Sequence, residues 1–336
     1  MASDLEHPEK NSPPFDPEYQ TENIAFDAGE LIECDGCSRA NPPNRLNCLY
    51  CGGELDVPID GAVSIASNRR KLEIWERGFN VIVLQYDERS DISEIAKLLS
   101  MDAASVAMIL SANTPLPVAR VEGEREASIV SNRLSALGVR CLVIRDEEFR
   151  TDKPPVRVSG LDDLYDRFAL KDFNTGAVTQ IAKNDLVLIV TGTFNTRTVD
   201  SLEKKRLGKE SKLLNETTTI ADEAIIDIYT RDDPSGFRIR MAGFDFSCLG
   251  EDKGMMASEN MRSLIIFLKG HAPNARFVNN YSVVRHALGI VWELEERRES
   301  KGMQRAGFGK AELGIVATTN NVGQFTKYSR LQWHLL

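Results

Sequence analysis

Cys34-Asp35-Gly36-Cys37 and Cys48-Leu49-Tyr50-Cys51 are the stretches on which the reading of this chain turns. Two Cys-x-x-Cys pairs, ten residues apart, are what a tetrahedral Zn²⁺ site asks of a polypeptide. Each pair closes a tight turn that aims two thiolates at one metal. Gly36, Asn41, Pro42, Pro43, Gly52 and Gly53 surround them, turn formers expected where a metal stands in for a core. A redox-active Cys-x-x-Cys stands alone at a helix start, whereas matched pairs favour structural metal. Residues 31–56 are therefore expected to form a zinc ribbon with one structural Zn²⁺ held by Cys34, Cys37, Cys48 and Cys51.

Charge is distributed unevenly around this window. Residues 1–60 hold 13 acids and 3 bases, while the other 276 residues hold 37 acids and 38 bases. A module set in negative charge is poorly placed to meet a phosphate backbone, so nucleic-acid binding through the ribbon is not expected. Residues 1–30 combine four prolines with eight acids and the single base Lys10, which reads as a disordered acidic arm. The start Met1-Ala2-Ser3-Asp4 lacks the basic and apolar run of a signal peptide. The longest apolar stretches, such as Leu186–Val190, are too short for a bilayer, so a cytoplasmic protein without membrane contact is expected. Cys141 and Cys248 lie in strand-like segments and read as small buried hydrophobes.

The cysteine window resembles the short bacterial zinc ribbons written Cys-x-x-Cys-Gly-x-x-Asn-Pro-Pro…Cys-x-x-Cys-Gly…Leu. The matching residues are Cys34, Cys37, Asn41-Pro42-Pro43, Cys48, Cys51-Gly52 and Leu55, with Ser38 where glycine is usual. The spacing is also similar to Ran-binding-protein-type zinc fingers, some of which bind single-stranded RNA or ubiquitin. Leu31 and Ile32 replace the tryptophan of those fingers and Pro42 replaces their stacking aromatic, so RNA reading is not carried over.

After a linker over 57–78, residues 79–148 read as a small α/β domain. Val81–Leu84 is a buried-strand run, Asp91 and Asp102 are helix caps, and Gly138 follows a helix bearing Ala127, Val130, Leu134 and Leu137. The order β-α-α-β-α-β resembles the C-terminal domain of the bacterial ribosomal stalk protein, and more loosely the adaptor of the Clp protease. That resemblance implies a fold that holds a partner protein. The lysine-rich face of the stalk domain is not reproduced, Lys97 being the only lysine between 79 and 146.

Residues 149–336 read as a strand-rich α+β domain, giving a multidomain α+β chain. Leu186–Phe194 is a strand, and Ile225–Thr230 with Phe237–Phe246 flank a hairpin turn at 232–236. Glu203–Lys212 is expected as a solvated charged loop. Helices are expected around Met261–Leu268 and Tyr281–Val291, and a last hairpin from Leu313–Thr318 and Phe325–Leu335. Gly307-Phe308-Gly309-Lys310 lacks a phosphate-loop spacing and reads as a connection.

Catalytic patterns are sparse. The four histidines, His7, His271, His286 and His334, form no ligand motif, and no Gly-x-Ser-x-Gly elbow occurs. Asp245 followed by Glu251-Asp252-Lys253 has the composition of a nuclease metal-and-lysine set, in which two carboxylates hold Mg²⁺ and the lysine orients water. Glycines on both sides make it read as a surface turn. The sequence thus points to a non-enzymatic zinc protein, an adaptor or regulator with protein partners and no identifiable small-molecule substrate. The alternatives are a metal-dependent nuclease using Asp245, Glu251 and Lys253, or a nucleic-acid-binding regulator using the C-terminal domain.

Overall fold

The computed structural model describes residues 31–43, 45–56, 71–206, 209–307 and 310–336; the expected acidic arm and most of the linker lie outside them. The chain divides into two compact units, Met1–Ser64 and Ile65–Leu336. Among the described residues of the first, β1 (Ile32–Glu33) and β2 (Ala40–Asn41) pair antiparallel, and Asn47 and Glu54 form a short antiparallel bridge.

The second unit is mixed α+β. Its first part runs β3 (Phe79–Tyr86), α1 (Ile92–Leu99), α2 (Ala103–Ser111), β4 (Leu116–Val121), α3 (Glu124–Ala136) and β5 (Val139–Arg145). This is the order β-α-α-β-α-β read from the sequence, with an antiparallel sheet ordered β4-β3-β5. The Asp91 carboxylate accepts the N–H groups of Ser93 and Glu94 at 2.8 and 3.3 Å, and Asp102 accepts that of Ser105 at 2.9 Å. Both helices therefore start where a side-chain acceptor satisfies their free donors. Gly138, at φ +82°, ends α3 in the left-handed conformation that favours glycine.

The second part builds a large curled sheet. Its strands are β6 (Val156–Leu164), β7 (Arg167–Asp172), β8 (Val178–Ala182), β9 (Leu186–Arg206), β10 (Lys209–Thr230), β11 (Phe237–Arg240), β12 (Arg276–Val278), β13 (Glu295–Gly307) and β14 (Lys310–Asn320). Their order is β13-β14-β9-β10-β11-β6-β7-β8, with β12 parallel to β9 at Leu188–Val190. The helices α4 (Ala257–His271), α5 (Tyr281–Val291) and α6 (Val322–His334) complete it.

Three expectations are corrected here. Phe325–Leu335 is not a strand but most of α6: Val322, Phe325, Tyr328 and Leu331 recur every three residues, a helical stripe whose last three members are fully buried. The partner of β14 is instead β13, whose run Glu295–Gly307 carries almost no apolar residue because it is an exposed edge strand. The charged stretch Glu203–Lys212 is not a loop but the end of the β9–β10 hairpin, paired up to Arg206 and Lys209. The strand from Phe237 stops at Arg240, where the backbone turns through Gly243 at φ +79°.

Two apolar cores lie on opposite faces of β9. Leu188, Val190 and Phe194 face α5, α6 and the 79–149 region; Ile189, with Ile226, Ile228 and Ile239, faces Met261, Leu264 and Leu268 of α4. Gly192 sits between Phe325 and Tyr281, and any Cβ there would overlap the Phe325 ring. The expected division at 148/149 runs through the first of these cores. Val81, Val106 and Leu134 share it with Leu288, Phe325 and Leu331. Trp292 donates its indole N–H to Asn80 at 2.7 Å and stands edge-on to Phe149 at 5.5 Å. Residues 71–78, expected within the linker, are likewise tied down: Leu72 is buried, and Arg120 donates to the carbonyls of Glu73 and Glu76.

Asp146 is the polar centre of this junction. It accepts from Gly78 N–H, Asn80 Nδ2 and Arg120 Nε at 2.8–3.0 Å, and pairs with Lys327 of α6 at 3.3 Å. Burial opposes its charge, but Lys327, Arg120 and Asn80 outweigh it and hold the carboxyl below its usual range. A carboxyl lowered by folding stabilises the fold fully above its unfolded pKa of about 3.9 and loses that contribution as pH falls through the folded value. Asp146→Asn is expected to cost about 3 kcal/mol at pH 7, with the gap to wild type closing below about pH 4. Denaturant melts across that range check it; a gap that stays constant with pH would show that the carboxylate charge is irrelevant.

Candidate metal centre

Each cysteine pair is set by a backbone turn. Cys37 and Ser38 donate their N–H groups to Cys34 C=O at 3.3 and 2.7 Å, and Gly52 donates to Cys48 C=O at 3.0 Å. Ser38 and Gly52 occupy equivalent positions, one residue past each pair, and both have positive φ, +54° and +74°. This is the physical reason for the usual glycine at position 38, since a serine there adopts a backbone conformation that a Cβ disfavours.

The turns bring the four Sγ atoms within 4.8 Å of one another. Cys34 and Cys51 are 3.6 Å apart, and Cys37 and Cys48 3.5 Å. Zn–S bonds of about 2.3 Å in a tetrahedron give S···S edges of about 3.8 Å, so the cluster has the size of a four-thiolate zinc site. A disulfide needs about 2.05 Å, and all four cysteines are free thiols. Among the described residues no other His, Cys, Asp and Glu side chains converge in this way.

The donor chemistry fits the metal as well as the spacing does. Desolvation opposes ionisation of Cys48, but the N–H groups of Cys51, Tyr50 and Asn41 outweigh it and hold that thiol down at about 6. At Cys37 the Arg39 N–H favours the thiolate, yet desolvation and the three neighbouring sulfurs prevail and hold the thiol up at about 12. Four sulfurs this close cannot all ionise unaided; a divalent cation supplies the charge that lets them.

Asn41 is the residue whose importance the sequence reading did not isolate. It is fully buried, accepts Leu49 N–H at 2.8 Å, and donates to Cys48 Sγ at 3.4 Å and to Arg39 C=O at 2.7 Å. One amide thus braces the second turn against the strand leading from the first. The Asn-Pro-Pro run carries the signal for it, read as a turn and as part of the ribbon pattern but not as a brace. Beneath the sulfurs, Leu55 is 1% exposed and packs with Cys34, Cys48 and Ile32. Tyr50 stands out beside the second turn, half exposed, with the Arg39 guanidinium 4.7 Å over its ring.

Of the nuclease candidates, Asp245 and Lys253 come together on one turn, while Glu251 joins no metal-sized group among the described residues. Asp245 caps a short 3₁₀ segment, accepting Ser247 N–H at 3.0 Å and Ser247 O–H at 2.6 Å. Lys253 Nζ lies 3.5 Å from it, and Ser247 and Lys253 hold its carboxyl below the usual range. Glu251 and Asp252 are exposed on the same turn. His271 binds Phe267 C=O and faces Asp163 at 3.3 Å, His334 lies near Glu148, and His286 is exposed on α5; His7 is outside the described residues. Burial pushes the thiols of Cys141 and Cys248 up to about 12 and 11, as for small packed side chains. No helix among the described residues is long and apolar enough to cross a membrane.

Compared with known proteins, the chain matches no family model, no curated protein and no solved structure.

Proposed function

We propose that this chain is a non-enzymatic, cytoplasmic zinc protein that serves as an adaptor for protein partners, the ribbon acting as a rigid contact module. The observation that carries this reading is the closed shell of four converging sulfurs. A zinc with four protein ligands keeps no open position for substrate or water, which separates structural sites from catalytic ones. Electrostatics favours a protein partner over a nucleic acid. Residues 31–56 carry four acids against Arg39 and Arg45, and a zinc bound by four thiolates adds further negative charge. The exposed Leu49 and Tyr50 beside the second turn offer the apolar contact that a protein interface uses. The β-α-α-β-α-β order, similar to that of the stalk domain, adds a second element suited to holding a protein.

The test is elemental analysis of the reduced protein combined with affinity capture. One zinc per chain is expected, with partners that are lost when residues 1–60 are removed and passage through a nucleic-acid column at any salt concentration. Metal near zero, or retention that falls steeply with salt, overturns the reading.

A further inference from the structure

Beyond Asn195, strands β9, β10, β13 and β14 leave both cores and continue as a four-stranded arm. Every described side chain on that arm is partly or fully exposed. Yet one of its two faces carries more apolar residues than the other. The ladder aligns Arg197, Val199, Ser201 and Glu203 of β9 on one face. Beside them lie Leu213, Glu216, Thr218 and Ile220 of β10, Leu313, Ile315 and Ala317 of β14, and Arg298, Ser300 and Met303 of β13. The opposite face offers Leu202 and Val316 among Thr198, Thr217, Thr318 and Asp200. On the apolar face Ile220 is 70% exposed, Met303 67% and Leu213 51%, so the pattern of a covered sheet stands without a cover.

We infer that this face is a homodimer interface, on which a second copy of the chain stacks its own arm antiparallel about a two-fold axis crossing β9 at Asp200. The charges select that arrangement. Arg197 and Glu203 lie three residues either side of Asp200, and neither forms an ion pair among the described residues. The two-fold sets Arg197 of each copy over Glu203 of the other, as an isologous contact requires. Parallel arms would oppose like charges. The area also suffices. Eleven residues of β14 span about 37 Å and four strands about 19 Å, so two stacked faces bury about 1,400 Å², within the range of stable interfaces. Edge-to-edge pairing is blocked: β13 presents Arg297, Arg298, Glu299 and Lys301 with a bulge before Gly302, and β10 has a bulge between Leu213 and Asn215. The inference is independent of the metal centre.

Sedimentation equilibrium of the full zinc-loaded chain tests it, with circular dichroism to verify that each variant folds. A dimer is expected at micromolar concentration. Arg197→Glu and Glu203→Arg are each expected to raise its dissociation constant about tenfold or more, and the two together in one chain to restore it. Leu313→Lys should give a folded monomer, while Val316→Lys on the opposite face should leave the dimer intact. A wild-type chain that stays monomeric to about 100 μM, a double swap no better than the singles, or equal dissociation by Val316→Lys and Leu313→Lys overturns the inference. So does a monomer whose arm retains a different protein.

Discussion

Serine in place of Cys48 is expected to leave the chain without zinc and to unfold residues 31–56, while Ile65–Leu336 still melts cooperatively. Cys48 is buried, and its sulfur is the one that collects N–H donors from Asn41 and Tyr50 at 3.4 Å. A serine hydroxyl is neutral at pH 7 and cannot replace that thiolate. Among the described residues, the apolar support of the cysteine window is little more than Leu55, Ile32 and the cysteines themselves. Structural zinc contributes about 10–16 kcal/mol in modules of this kind, and nothing else here has that size. Metal content should fall from one per chain to near zero, and the amides of 31–56 should exchange at unprotected rates. Asn41→Ala, which removes no ligand, is expected to retain zinc with affinity weakened by about 10–100-fold. Full protection of the window in metal-free Cys48→Ser would show that the turns fold without the ion.

The second large effect is expected at the Asp227–Arg238 pair, deep between β10 and β11. Asp227 is 0% exposed and receives Arg238 Nε and an Nη at 2.7 Å each. The same guanidinium donates to Thr326 at 3.1 Å and stacks over Phe194 and Phe325 at 5.1 and 5.3 Å. Tyr229 closes the network, donating to Ser329 at 2.8 Å. Asp227→Ala leaves a buried cation with aromatic neighbours and no anion, at a cost of about 3–5 kcal/mol, a large share of a typical domain's 5–15 kcal/mol. The melting temperature of the second unit should drop by about 10 °C. Asp227→Leu combined with Arg238→Met should recover most of it, because an apolar pair has no charge to desolvate. A loss below about 1 kcal/mol in Asp227→Ala would mean that water reaches the pair.

Where a single residue or a short period encodes structure, the sequence was readable. The cysteine spacing picked out the four sulfurs that converge, Asp91 and Asp102 marked helix starts, and the β-α-α-β-α-β order followed from short apolar runs between caps. Longer-range facts were hidden. β13 looks like solvated chain because, as an exposed edge strand, it needs no apolar alternation; its identity lies in its partner β14, not in itself. The Phe325–Leu335 segment has aromatic residues that suit either state, and only its three-residue spacing marks it as a helix. The core that crosses 148/149 could not be seen, since Val81 and Leu331 look like members of any core. At the metal site, Asn41 reads as a turn former, and its contacts to Leu49 and Cys48 appear only once the two turns meet.

That crossing core also sets the order in which the chain can be made. Strands β3–β5 and their helices leave the ribosome more than a hundred residues ahead of α5 and α6, yet Asn80 waits for Trp292 and Asp146 waits for Lys327. Until Leu331 has been synthesised, the core that Val81 shares with Leu288, Phe325 and Leu331 is incomplete. Completion of that core therefore comes late in synthesis. A premature stop just before α6 would release a chain whose first core lacks Phe325, Tyr328 and Leu331.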